Sequence, residues 1–453
     1  MEKGLIAVDR WGEASQAYFL THLHADHTRG LFPGWAKGPL FCSPVTARLL
    51  PSRFPGFELS LLRVLDVGVP HPLTLDSPTS GMSVSIRVTA IDACHCPGAV
   101  MYLFQGDLGC MLYTGGFRWE PTDKRAWVGK KALLSALGGD EVDVLHLDNT
   151  FCNPFFEFPP REVAAQQVFF LWTLDNELLY FPHNYIFGSY LQVVDIIKSH
   201  PDHDIVICID TLGKEELLVQ VSDSLNTKVW VWPERLQTMD LLGYDRIFTT
   251  KSRVTKVRAI PRYSFTVETL IALNTLRPTV GILPSGLPWE PNSFQKDPSL
   301  DLVGENTSIS SGSGQKATKV PKRCHQYIFS VPYSSHSCYS EIGEFIKLVR
   351  PSKVRGIVFS SFCYVNPRHF FGSLCTSYQP SGQPSTDLGK NRTANGVRAT
   401  QTVYVVACEQ PRRERCMKGR ATRMGWLGVR RSWTSPLRRQ RRGVKISEEA
   451  DHG

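Results

Sequence analysis

The stretch THLHADH, residues 21–27, constrains this chain more than any other. His22, His24, Asp26 and His27 fall within six positions, after the apolar run AYFL and before the glycine-bearing loop TRGLFPG. In an extended strand, side chains two positions apart share a side, so His22 and His24 project together while Asp26 and His27 sit where the chain turns away. Neutral imidazoles suit zinc and similar divalent ions, and an aspartate adds negative charge for a second ion. One histidine alone is ordinarily a core or surface residue; the combined pattern HxHxDH predicts a metal site. A single short segment cannot close two coordination spheres, so the fold has to deliver further donors from elsewhere.

Three segments offer them. His95 in IDACHCPGAV follows an apolar run and precedes Pro97 and Gly98, as a strand end turning into a loop does. Asp148 in VLHLDNT ends a second apolar run, and His336 in VPYSSHSCYSE lies between a third and a helix opened by small polar residues. Each would be structural if it stood alone. Their common place beyond strand ends, where the sites of α/β proteins gather, predicts a shared cleft.

Residues 5–155 read as strands separated by turns: LIAVD, AYFLTHL, PLFCS, VSIRVTAID, VMYLFQ, CMLYTG and VDVLHLD. Several are apolar at every position, as strands covered on both faces are. From 193 to 290, VVDIIKSH, DIVICID, KEELLVQVSDSL, KVWVW and RLQTMDLLG alternate helix-like and strand-like, which predicts an α/β unit. Residues 291–323 are polar and low in complexity, a flexible loop. YIFSVPY and VRGIVFS follow as strands around the helix-like SEIGEFIKLV, and beyond about Cys375 apolar periodicity is lost. One block is anomalous. REVAAQQ (161–167) and VVDIIKSHP (193–201) join into one amphipathic helix if the 25 residues between them are removed, and that block holds eight aromatics and no Lys or Arg. Residues 168–192 are therefore expected to be a foreign insertion, such as retained non-coding sequence.

Charge is localised. Thirteen basic against four acidic residues in the last 43 positions account for the whole net charge of +9, so the body is neutral and does not coat DNA through bulk charge. The basic tail, with RRER and RRQRR, fits nuclear import or non-specific phosphate attraction, and equally a disordered tail without a role. Twelve cysteines lie scattered, several within apolar runs, as reduced buried thiols of an intracellular protein do. Charges interrupt MEKGLIAVDR where a signal peptide needs an apolar core, and no run of 18 apolar residues occurs, so neither secretion nor a membrane is expected.

HLHADH, DACHCPG, LYTGGFR, HLDNT, TLGKEELL and PYSSHSCYSE, taken together, resemble the β-CASP nucleases of the metallo-β-lactamase superfamily, in their Apollo/Artemis DNA-repair branch. The resemblance runs from about Ile6 to about Cys375. It implies an αββα metallo-β-lactamase sandwich (1–155 and a return segment, 325–375) with an inserted α/β β-CASP domain at 156–324 and a disordered basic tail at 376–453. It also implies that His22, His24 and His95 hold one divalent metal, most simply zinc, and that Asp26, His27 and His336 hold a second. Asp9 and Asp148 match family motifs expected to be catalytic, and Lys214 lies where members hold nucleic acid. The implied activity is 5′-to-3′ exonuclease action on DNA with a 5′-phosphate end, in the nucleus, in repair of interstrand cross-links and double-strand breaks. Damaged DNA and repair-complex proteins are the implied partners. Ser285, Ser334 and Ser335 are candidate donors to the terminal phosphate.

One departure matters. The family motif TGDFR supplies an aspartate that bridges both metals, and this chain has Gly116 there. Three histidines still suffice for one ion, but the second sphere and the shared anionic bridge are weakened. Ser335, where an acid commonly precedes the histidine, and Cys94 beside His95 are milder changes. The chain is thus expected to be an impaired nuclease. The alternatives are a non-catalytic nucleic-acid or repair-complex binding protein on the same fold, and an RNA-processing β-CASP nuclease.

Overall fold

Alternation along short strands decides the layering of the first domain. A computed structural model describes residues 4–158, 160–161, 189–244, 246–286, 322–358 and 366–377. β1 (Ile6–Val8), β2 (Ala17–Phe19), β3 (Leu40–Cys42) and β4 (Leu62–Val64) form a parallel sheet in that order. β5 (Pro70–Asp76), β6 (Ser83–Asp92), β7 (Val100–Gly106), β8 (Met111–Tyr113) and β9 (Val144–Leu147) follow in spatial order, antiparallel up to the β7–β8 pair and parallel from β8 to β9. Ile6, Val8, Ala17 and Phe19 share one core with Val100, Tyr102 and Phe104, which is the seam between the two sheets. The intervening Ala7, Tyr18, Met101 and Leu103 belong to a second core with helical residues Leu49, Leu50, Leu133, Leu137 and Phe345. The period of two therefore places a sheet–sheet seam inside and helices outside, the αββα sandwich. Phe19 anchors the seam, stacked on Phe41 at 4.8 Å and edge-on to Phe104 at 5.0 Å; truncating it to alanine would cost about 3–5 kcal/mol.

The second domain obeys the same rule with helices on both faces. β10 (Asp204–Ile209), β11 (Val229–Trp230), β12 (Phe248–Thr249), β13 (Val257–Pro261), β14 (Thr279–Ser285), β15 (Lys322–His325) and β16 (Ile328–Pro332) make one sheet, parallel except at the β15–β16 hairpin. Ile205, Ile207 and Ile209 face the helices Ser189–Lys198 and Glu215–Leu225, whereas Val206 and Cys208 face Phe265 and Leu270 at the helix Val267–Asn274. After the helix Tyr339–Val349, β17 (Lys353–Gly356) returns to pair with β9, so the second domain lies between the two parts of the first.

Two expected boundaries shift. β16, assigned from the sequence to the return segment at 325–375, hydrogen bonds into the second sheet beside β14, so the return begins after Pro332. β15 starts at Lys322, inside the loop expected at 291–323. The rest of that loop, the tail beyond 377 and residues 168–188 of the anomalous block lie outside the described residues. The last four positions of that block already belong to the helix Ser189–Lys198. Among the described residues no helix is long and apolar enough to cross a membrane, and the described cysteines are unpaired.

Candidate metal centre

The donors gather at carboxyl ends of strands. THLHADH follows β2, His95 follows β6, Gly116 follows β8, Asp148 follows β9 and His336 follows β16. β2 ends at Phe19, so His22 and His24 stand in the loop beyond the strand rather than within it. They still converge: His22 Nε2 lies 3.0 Å from His24 Nδ1, and His95 Nε2 lies 3.1 Å from that same atom.

Hydrogen-bond accounting fixes what these nitrogens present. The carbonyls of Leu212 and Ser335 can only accept, so His24 Nε2–H donates to Leu212 at 2.9 Å and His95 Nδ1–H to Ser335 at 2.7 Å. The Thr21 hydroxyl donates to Asp9 Oδ2 at 2.7 Å, leaving its oxygen to accept from His22 Nδ1–H at 2.9 Å. In the neutral rings the three facing nitrogens are therefore all lone pairs. Burial, followed by the neighbouring imidazoles, holds the pKa of His22 and of His95 well below 6.5, which keeps them neutral. Three converging lone pairs repel one another unless a cation lies among them. Tetrahedral zinc at about 2.0–2.1 Å from each nitrogen would space them at about 3.3 Å, a few tenths wider than here. The residues present fit a divalent ion.

The outer partners are carboxylates. Asp9, held at φ +52°, accepts from the Thr21 backbone N–H at 2.9 Å and from His27 Nδ1 at 2.7 Å. Burial alone would lower the pKa of His27, but Asp9 overrides it and pushes it up to about 9. Asp148 accepts from His336 Nδ1 at 2.6 Å and from the Thr150 hydroxyl at 2.6 Å. Both aspartates thus orient imidazoles, the usual support for metal-ligating histidines.

The second expected ligand set is looser. The His336 ring sits 4.5 Å from that of His95, and the His27 ring 4.1 Å from that of His22. Asp26, however, is 81% exposed and 3.5 Å from His27 Nε2. Among the described residues the only group of metal donors within mutual reach is His22, His24, His95 and Cys96, whose ligand atoms all lie within 4.8 Å of one another. At Gly116 an added Cβ would stand 2.7 Å from His95 Nε2, so the imidazole occupies the space a side chain would need.

The phosphate candidates divide. Lys214 is ion-paired with Asp210. The Ser334 hydroxyl bridges the His336 carbonyl and N–H at 2.8 and 2.9 Å, closing its own turn. Ser285 ends β14 opposite Pro332. Ser335 lines a cleft of about 180 Å³ with His95, Cys96, Lys214 and Tyr333. Arg125 and Arg161 line it too, the first paired with Asp92 and Glu216, the second with Glu120 and Asp123.

Several organising residues carry no sequence signal of their own. Arg118, wholly buried, bonds Glu341 through Nε at 3.0 Å and the Ser334 carbonyl through Nη1 at 2.8 Å, tying the Gly116 segment to the His336 loop. Glu341 also accepts from Cys338 N at 2.9 Å and so caps the helix Tyr339–Val349. Arg161 donates to the Cys94 carbonyl at 3.2 Å beside His95.

Residues 245–361 match the family model described as DNA repair metallo-beta-lactamase. The chain is 35% identical over 365 residues to the 5' exonuclease Apollo of Gallus gallus, covering 80% of this chain and 63% of that one. It is 34% identical over 362 residues to the 5' exonuclease Apollo of Mus musculus, covering 79% and 54%. To the DNA cross-link repair protein SNM1 of Arabidopsis thaliana it is 30% identical over 347 residues, covering 76% and 60%. The chain thus spans 54–63% of the length of these curated relatives.

Proposed function

Because the chain belongs to the DNA repair metallo-β-lactamase family, on its Apollo branch, we propose that it hydrolyses phosphodiester bonds of DNA from a 5′ end, at a rate limited by Gly116. One observation carries the reading: three imidazole nitrogens, each obliged by its outer partner to present a lone pair, converge at the strand ends, with His22 Nε2 at 3.0 Å and His95 Nε2 at 3.1 Å from His24 Nδ1. A nitrogen-rich donor set favours zinc. When bound, such an ion polarises a phosphoryl oxygen and lowers the pKa of water toward neutrality.

The remaining work falls to the chain. His22, His24 and His95 hold the ion, and Thr21, Leu212 and Ser335 fix their tautomers. Asp9 and Asp148 act as positioning residues for His27 and His336. Lys214, ion-paired with Asp210, keeps further ammonium N–H groups with which to meet a phosphate. DNA with a 5′-phosphate is the substrate under this reading, in the nucleus, alongside repair-complex proteins.

A second reading, a non-catalytic DNA or repair-complex binder, is favoured by the absence of a carboxylate at 116 and by the His95 ring filling that space. The two part on one assay. The purified chain is incubated with 5′-phosphorylated DNA, 5′-hydroxyl DNA and matched RNA, with zinc and with chelator. Progressive loss from the 5′ end of phosphorylated DNA, stopped by chelator, is expected. Preference for RNA overturns the choice of substrate, and DNA binding without cleavage selects the second reading.

A further inference from the structure

We infer that Cys96 is a fourth protein ligand, its sulfur joining His22, His24 and His95 so that the chain holds a single sulfur-ligated zinc in place of a carboxylate-bridged pair. This rests on the proposal that the imidazole cluster holds a metal, and adds to it the identity of the last donor and the number of ions.

Three observations converge on Cys96. Its sulfur is the one non-imidazole donor in the four-membered group whose ligand atoms lie within 4.8 Å of one another. Consecutive residues of an extended chain face opposite ways, but Cys94 is in the left-handed region at φ +53° and Ala99 N–H closes a turn onto the Cys96 carbonyl at 3.0 Å. That bend lets His95 and Cys96 turn toward the same cluster. Cys96 is also 3% exposed, and among the described residues no polar partner hydrogen-bonds its thiol.

The chemistry of position 116 supplies the reason. With glycine there, the anionic charge that stabilises a dication has to come from elsewhere. Asp26 is largely in solvent, and Asp9 and Asp148 are engaged with His27 and His336. Cys96 can provide that charge: as the sulfur–zinc bond forms, the thiol proton passes to solvent, and no oxidant or reductant takes part. Four protein donors close the sphere in the manner of structural zinc, and a place for water opens only when one withdraws. Slow turnover follows from the same geometry.

Zinc K-edge X-ray absorption of the full chain with stoichiometric zinc tests this without reference to activity. The expected result is one sulfur at about 2.3 Å beside nitrogens at about 2.0–2.1 Å. The cobalt-substituted chain should show a near-ultraviolet sulfur-to-metal charge-transfer band. Cys96→Ser should abolish that band and weaken zinc at least tenfold in chelator competition. A metal bound through nitrogen and oxygen alone overturns the assignment of Cys96 and leaves the imidazole centre standing, as does a band that survives Cys96→Ser. A chain that takes up no metal overturns both. The absorption measurement needs only the wild-type chain, so misfolding of the variant does not block the decision.

Discussion

Asp148 and His336 stand 188 positions apart in the chain and meet at 2.6 Å, Oδ2 to Nδ1. The contact joins the end of β9 to the loop after β16, so the segment returning from the inserted domain brings its histidine to a carboxylate of the first part of the same domain. Charge on His336 holds the Asp148 carboxyl below its usual range against the effect of burial, and the Thr150 bonds add to this. Asp148→Asn keeps the shape and removes the charge. Metal affinity or nuclease rate is expected to fall about 10–100-fold, the usual consequence of losing such a support. Metal titration and circular dichroism together check it; unchanged affinity and rate in a folded variant would remove Asp148 from the site.

Asp9 and His27 form the matching pair at 2.7 Å. In the metal-free protein the His27 pKa is raised to about 9. The pair therefore contributes stability that is fully present below the unfolded value near 6.5 and is lost as pH rises through about 9. Asp9→Asn should bring the midpoint of His27 down by more than a unit and flatten stability between those limits. A histidine NMR titration of wild type and variant decides it, and a wild-type midpoint near 6.5 would show that the pair does not form.

Arg118 and Glu341 lock the Gly116 segment to the His336 loop, and neither is open to solvent. Arg118→Met leaves a buried carboxylate alone and should cost about 3–5 kcal/mol. Adding Glu341→Gln should recover part of that, because the stranded charge is removed. Chemical denaturation of both variants measures the difference. A single variant as stable as wild type would contradict the buried pairing.

Much of this was legible in the residues, for reasons that also explain what was not. β7 and β10 are buried along almost their whole length and so spell uninterrupted apolar runs. β4 and β5 are mostly exposed edge strands, and β5 carries Pro70 and Pro72, which edges tolerate and central strands do not. The helix Pro44–Arg53 is masked by Pro51. HxHxDH is contiguous and announces itself, but the groups that set the tautomers of His24 and of the distant His95 are backbone carbonyls, Leu212 and Ser335, which no side-chain pattern encodes. Cys96 resembles a core thiol until the turn beside it is known. Ser334 resembles a phosphate donor until its hydroxyl is seen closing its own loop.

Under the proposed function, Gly116 is the position on which activity is expected to turn. A Cβ there would meet His95 Nε2 at 2.7 Å, Cδ2 at 2.9 Å and Cε1 at 3.0 Å, so any side chain forces the imidazole to swing. Gly116→Ala imposes that displacement and returns nothing, so metal affinity and nuclease rate should fall. Gly116→Asp imposes the same displacement but supplies a carboxylate able to bridge two ions and to restore the charge that close dications need. Nuclease activity should rise at least tenfold over wild type, about 1.4 kcal/mol of barrier, while DNA affinity is expected to change little. Comparing the two variants separates the steric effect from the chemical one. If alanine and aspartate lose alike, the rest of the centre cannot be restored by a bridge, and the non-catalytic reading takes precedence.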